Sequence, residues 1–201
     1  MNAVLAGVDG CKGGWVAAID DGAGTRLVRL RTLAEIPPGL ALIDIPIGLR
    51  AVGPRACDVA ARRLLGRPRA SSVFPAPSRP LLVEERPRCS RQLFNILPKI
   101  READELAGLA SGWYEGHPEV SFALMDAGRG LREPKRTPAG RARRWALLAS
   151  VFAGLPACLD DDEADAYALL WSARRVAAGS ELRLPARLEL DARGLPMQIL
   201  A

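Results

Sequence analysis

The sequence predicts an α/β fold, a mixed sheet between helices. Three observations predict it: two short apolar runs and an alternating one separated by glycine-rich turns at the N-terminus, a further apolar run soon after them, and two long helical stretches in the second half. Ala3 to Val8 and Trp15 to Ile19 are nearly continuous apolar segments joined by Gly10-Cys11-Lys12-Gly13-Gly14. Arg26 to Arg31 alternates arginine with leucine and valine, as an exposed strand does. Short turns between consecutive strands make an antiparallel meander.

Leu33 to Ile36 allows one helical turn before Pro37-Pro38-Gly39 stops it, and ALIDI, residues 41 to 45, is a buried strand closed by Pro46 and Gly48. Pro54 to Leu65 has amphipathic helical spacing. From Gly66 to Pro98 the chain is rich in proline, arginine and serine without clear periodicity, and reads as an irregular insertion with the makings of a lid. Lys99 to Ser111 predicts a helix, Trp113 to His117 a strand and Val120 to Asp126 a short helix. A basic loop, Gly128 to Pro138, precedes helices at Ala139 to Phe152 and Asp162 to Ala178. Leu188 to Leu200 closes with a hairpin turning at Asp191-Ala192-Arg193-Gly194. No repeat or linker divides the chain, so residues 1–201 are expected to form one domain.

Composition narrows the function classes. Half the chain is apolar, 49%, enough for a real core, yet no stretch has the length of a membrane span and no basic-then-apolar leader opens it. A cytoplasmic protein with no membrane partner is therefore expected. Its four cysteines lack C-x-x-C spacing and have one histidine to assist them, so free thiols are expected rather than a zinc site. The net charge of +5 suits an anionic partner such as nucleic acid, although a high-GC genome gives the same arginine excess without any binding function. Lysine occurs only at Lys12, Lys99 and Lys135. Either a chain that otherwise uses the planar arginine fork keeps lysine where a compact charge is useful, or chance leaves three.

The acids carry the chemistry. Asp9 ends the first strand and Asp44 sits near the end of the fourth. If those strands are parallel neighbours, the two carboxylates face each other across one strand spacing of about 4.8 Å. A divalent cation relieves the repulsion, because Mg2+ prefers oxygen ligands and takes one or two carboxylates. In LDDDEADAYALLWSARR, Asp162 and Asp165 are three apart and so are expected to share a helix face, whereas Asp161 points elsewhere. Acids in a first helical turn are also favoured by the helix dipole, which accounts for Asp160 or Asp161 better than for Asp165. His117 and Glu119 follow a strand, where sites gather in open α/β sheets.

The stretches GVDGCKGGWVAA, IDIPIGL, RACDVAARRLLG, SSVFPAP, Pro98-Lys99-Ile100, HPEVSF and DDEADAYALLWSA, in this order, resemble the DUF429 family, described as predicted nucleases of the ribonuclease H-like superfamily. The likeness runs from Gly7 to about Ala173. It implies a ribonuclease H-like fold with flanking helices and two divalent metals, Mg2+ or Mn2+, held by residues matching Asp9, Asp44, Asp162 and Asp165. Resolvases of that superfamily commonly carry glutamate on the fourth strand, so Asp44 departs from their pattern. The activity implied is two-metal hydrolysis of phosphodiester bonds in DNA or RNA. Glu119 and Lys12 join the expected catalytic set; Lys99, Lys135, Arg136 and His117 are expected to bind substrate. Arg141, Arg143 and Arg144 form a further basic cluster that reads equally well as a solvated helix face. The glycine turn with Lys12 also resembles the phosphate hairpin of actin-like sugar kinases, so an ATP-binding phosphotransferase remains an alternative, as does a non-catalytic binding protein. Oligomeric state stays open, a homodimer included.

Overall fold

The computed structural model describes residues 3–85, 87–110 and 112–201. A seven-stranded mixed sheet is flanked by six helices among these residues. Strands β1 (Leu5–Cys11), β2 (Gly14–Asp20) and β3 (Thr25–Leu30) form the expected antiparallel meander. A short turn of 3-10 helix, Leu33–Glu35, leads to β4 (Leu40–Ile43), which lies parallel to β1 on its other side. There follow α1 (Ala56–Arg69), α2 (Arg79–Val83), α3 (Arg91–Ala107), β5 (Trp113–Gly116), α4 (Pro118–Met125), α5 (Pro138–Ala149), α6 (Asp161–Ala177), β6 (Arg183–Leu184) and β7 (Ile199–Leu200). The strand order is β3-β2-β1-β4-β5-β7-β6, with β1, β4, β5 and β7 parallel to one another, a layout consistent with the ribonuclease H-like sheet.

The strand pleat sorts side chains to two faces. Val8, Trp15, Ala17 and Ile43 pack on one face with Leu93, Leu97 and Ile100 of α3. Val16 and Ala18 pack on the other with Phe122 of α4, Leu148 of α5 and Ala166 and Leu170 of α6. On this second face α6 comes unusually close to the sheet. A Cβ at Gly7 would lie 2.1 Å from the Leu170 nitrogen and 2.2 Å from the Ala166 oxygen, so only glycine fits there. Gly116 makes a similar approach, its Cβ position 2.5 Å from Leu169 Cδ2.

Three details differ from the sequence reading. Strand β1 does not stop at Asp9 but runs on to Cys11, because its pairing with β2 continues to Cys11 and Gly14. What stops near Asp9 is the pairing with β4, whose last contact is the Asp44 N–H donating to the Val8 carbonyl at 2.9 Å. The segment 66–98, Arg86 lying outside the described residues, is more ordered than its composition predicts. It contains α2 and the first half of α3, where Ser90 caps the helix by accepting from the Leu93 N–H at 3.2 Å. Pro98 sits on the exposed side of α3, and the helix holds because Leu93, Leu97, Ile100 and Ala103 bury one stripe. The helix expected to reach Ser111, itself outside the described residues, ends at Ala107.

The C-terminal turn forms as expected, with a bridge between Leu190 and Pro196 and the Gly194 N–H donating to the Asp191 carbonyl at 3.0 Å. All four cysteines are free thiols. No helix among the described residues is long and apolar enough to cross a membrane.

Candidate functional site

Parallel pairing of β1 with β4 and β5 aligns the ends of three strands, and a cavity of about 490 Å³ opens beyond them. Asp9 reaches it from β1. Gly7 and Asp9 are two apart and share the face covered by α6, so the glycine contact brings the helix down beside the acid. Asp44 continues the register that pairs Val8 with Ile43 and lines the same cavity. Asp165, one turn inside α6 and followed by Ala166, completes the group and is buried.

Burial and mutual repulsion govern these acids. Asp9 is held well above the usual carboxylate range by burial, then by the charges of Asp44 and Asp165, with Lys135 opposing. Asp44 is raised by burial, which His117 and Lys135 partly offset and Glu119 reinforces. Asp165 is pushed up to about 7, burial outweighing the ammonium of Lys135 that it binds directly, with Asp44 and Glu119 adding repulsion. The same ion pair drives Lys135 upward. Three carboxylates with one ammonium among them leave an excess of negative charge in a desolvated place.

The remaining expected residues divide. Glu119 is buried in the first turn of α4, lines the cavity, and is bound through one oxygen by the Arg144 guanidinium. Arg144, which with Arg141 and Arg143 read equally as a cluster tracking nucleic acid and as a solvated face, is buried, because Glu119 draws it inward. His117, Lys99, Lys135 and Arg136 all line the cavity. Lys99 donates to the Gly14 carbonyl and lies 4.4 Å from the centre of the Trp15 ring. Two residues stand apart from it. Asp162 is half-buried at the start of α6 and is not among the residues lining the cavity, although its charge is felt at Asp9. Lys12 is exposed in the turn between β1 and β2, also outside the lining.

The cavity also holds a group that sequence reasoning missed. Arg55, placed just before α1, donates to both oxygens of Glu115 at 2.7 Å each and to Asp58 at 2.5 and 3.2 Å. It further donates to the carbonyls of Ile47 and Gly48, and the Ile47 N–H closes the knot on Glu115 at 2.8 Å. All three charged side chains are buried. The available signals were a glutamate inside a buried strand and an arginine three residues before an aspartate at a helix start.

Does this donor set suit a divalent ion? The oxygen atoms Asp165 Oδ1 and Glu119 Oε2 are buried and have no hydrogen-bond partner, which is costly unless something else meets them. All-oxygen donors of this kind match Mg2+ or Mn2+, which need few carboxylates. No group of three or more His, Cys, Asp or Glu side chains among the described residues is already gathered at chelating spacing, and Lys135 holds the second oxygen of Asp165. The residues fit a hard cation by chemistry, in an arrangement where Lys135 supplies the positive charge.

The profile of the family described as "Protein of unknown function (DUF429)" matches residues 7–190. The chain belongs to the DUF429 family. No curated protein and no solved structure matches it. The DUF429 match spans every residue of the acidic group and of the Arg55 knot.

Proposed function

We propose that this DUF429 protein is a cytoplasmic, divalent-metal-dependent phosphodiesterase acting on nucleic acid. One observation carries the reading: Asp9, Asp44 and Asp165, from two parallel strands and the facing helix, line one cavity with their carboxylates raised by burial and by one another. Carboxylates so strongly perturbed by burial and by one another are characteristic of sites that do chemistry. These three acids would hold the metal, with the charge of Asp162 felt at Asp9 from outside the cavity lining. When bound, two such ions supply a water nucleophile at neutral pH and neutralise charge developing on the leaving oxygen.

The protein's own groups do the rest. Lys135 moves from Asp165 to the phosphate once its charge is no longer needed among the acids. Glu119, fixed by Arg144, orients the entering water through its unpartnered oxygen. His117, beside Asp44 and with a buried, unpartnered Nδ1, holds the proton that the leaving oxygen takes up. Lys12, on which the ATP-binding alternative depends, lies outside the cavity.

The test is cleavage of labelled single-stranded and duplex DNA and RNA with Mn2+ or Mg2+, with chelator and Asp9→Asn as controls, alongside Mn2+ titration by calorimetry. Metal-dependent cleavage that Asp9→Asn loses supports the proposal. A folded protein that neither binds Mn2+ nor cuts any of these substrates is a non-catalytic member of its family.

A further inference from the structure

Around the acids, the cavity is walled from three directions. The segment after the kink of α1 contributes Arg69 and Phe74, α3 contributes Gln92, Ile96 and Lys99, and the loop before α5 contributes Lys135 and Arg136. Gln92, Ile96 and Lys99 follow i, i+4, i+7 spacing, so one face of α3 runs along the opening. The volume, about 490 Å³, is in the range of small-molecule sites rather than of an open groove.

The charges of the lining do not cancel locally. Arg55 is consumed by Glu115 and Asp58, and Lys135 by Asp165. Arg69, Lys99 and Arg136 have no carboxylate partner among the described residues, and the Nε of Arg69 is buried without any hydrogen bond. The stem of Arg69 is held against Gly130, where an added Cβ would come within 2.9 Å of its own. Phe74 and Ile96 rest on the core and give the wall an apolar patch, next to the exposed amide of Gln92.

We propose that this cavity receives a single nucleoside-phosphate unit, either a free nucleotide or the terminal unit of a single strand, with its phosphate gripped by Arg69, Lys99 and Arg136 and its base laid against Phe74 and Ile96. A guanidinium with an idle buried donor suits a phosphate oxygen. Any base stacks on an aromatic wall, and an amide such as Gln92 meets base edges as both donor and acceptor. A continuous duplex, with its bases stacked inside, cannot present one unit to a walled cavity of this size. The proposal rests on the phosphodiesterase reading for the bond that is cut; the binding step stands apart from it.

Equilibrium binding with Ca2+ in place of the activating metal separates the two. The probes are adenosine and thymidine 5′-monophosphates, a short single-stranded oligonucleotide, and a covalently closed dumbbell duplex without ends. The expected result is that a monophosphate or the oligonucleotide binds at least about tenfold more tightly than the dumbbell. Arg69→Met and Phe74→Leu should each weaken that binding about fivefold or more while circular dichroism shows each variant folded. Tight monophosphate binding identifies a free nucleotide as the source; tight oligonucleotide binding with weak monophosphate binding identifies a strand end. Equal affinity for the dumbbell, no binding of any probe, or indifference to both substitutions overturns the proposal. Binding that survives while no metal-dependent cleavage is found removes the phosphodiesterase reading and leaves the nucleotide pocket standing.

Discussion

Two groups of acids line the same cavity and meet their charge in opposite ways. Glu115 and Asp58 surround Arg55, which satisfies them with direct hydrogen bonds, and the neighbouring backbone completes the set. Among the described residues, the one side-chain ion pair of Asp9, Asp44 and Asp165 is that of Asp165 with Lys135, and two buried oxygens in their neighbourhood, Asp165 Oδ1 and Glu119 Oε2, bond to nothing. The register separates the groups: Glu115 aligns with Ile43 on the face covered by α3, whereas Asp9 shares the face of Gly7, under α6. The first group is arranged for folding. The second carries an electrostatic cost that folding alone does not explain, which is where function is to be sought.

The largest expected effect is on chemistry. Asp9→Asn should lower metal-dependent cleavage by on the order of 10³-fold or more. Urea unfolding of the same metal-free variant should show a stability equal to or above the parent, because a repelling charge is gone and packing is unchanged. A variant that unfolds would place Asp9 with the structural group. Arg55→Met should do the reverse, destabilising the protein by about 3–5 kcal/mol as Glu115 and Asp58 are left buried and unpaired. Stability unchanged in Arg55→Met would erase the distinction between the two groups.

A subtler difference is in pH dependence. Asp165 titrates near 7 in the folded chain and near the ordinary carboxylate value when unfolded. The folded state therefore binds the extra proton between about pH 4 and 7, and the stability of the metal-free protein falls as pH rises through that window. Raised Asp9 and Asp44 act in the same direction. Thermal melts across this range should show the decline, Mn2+ should diminish it, and Asp165→Asn should flatten it. A metal-free stability that rises from pH 4 to 7 contradicts the assignment.

Replacing the ammonium tests the role of Lys135. Lys135→Met should tighten Mn2+ binding about tenfold in calorimetry at low salt, since the cation no longer competes for Asp165. Weaker Mn2+ binding in that variant would make Lys135 a support for the acids rather than a stand-in. The smallest effect belongs to Lys12→Ala, expected to change stability by less than about 0.5 kcal/mol and to leave cleavage unaltered.

Much of this contrast was legible in the sequence, though unevenly. An acid at the end of an apolar run has few structural reasons to be there, so Asp9 and Asp44 stood out, and Asp165 did because it lies beyond the first helical turn. Asp160, by contrast, is the N-cap, locked with Glu163 in a capping box. Asp162 was expected to share the face of Asp165, yet three residues on a helix leave about 60° between side chains, enough to set Asp162 outside the cavity lining. The Arg55 knot was hidden because Arg55 and Glu115 are 60 positions apart and meet only when β5 joins β4. The first half of α3 was obscured by Pro98 and by polar composition, although the buried stripe from Leu93 to Ala103 was present in the letters.

The close approach at Gly7 has a consequence beyond packing. With no side-chain layer between strand and helix, the separation of Asp9 from Asp165 is governed by backbone touching backbone. Even alanine at position 7 would wedge the two elements apart and widen the gap between the two carboxylates. The spacing of the acidic group is thus set by one hydrogen atom, two residues away from the nearest of its carboxylates.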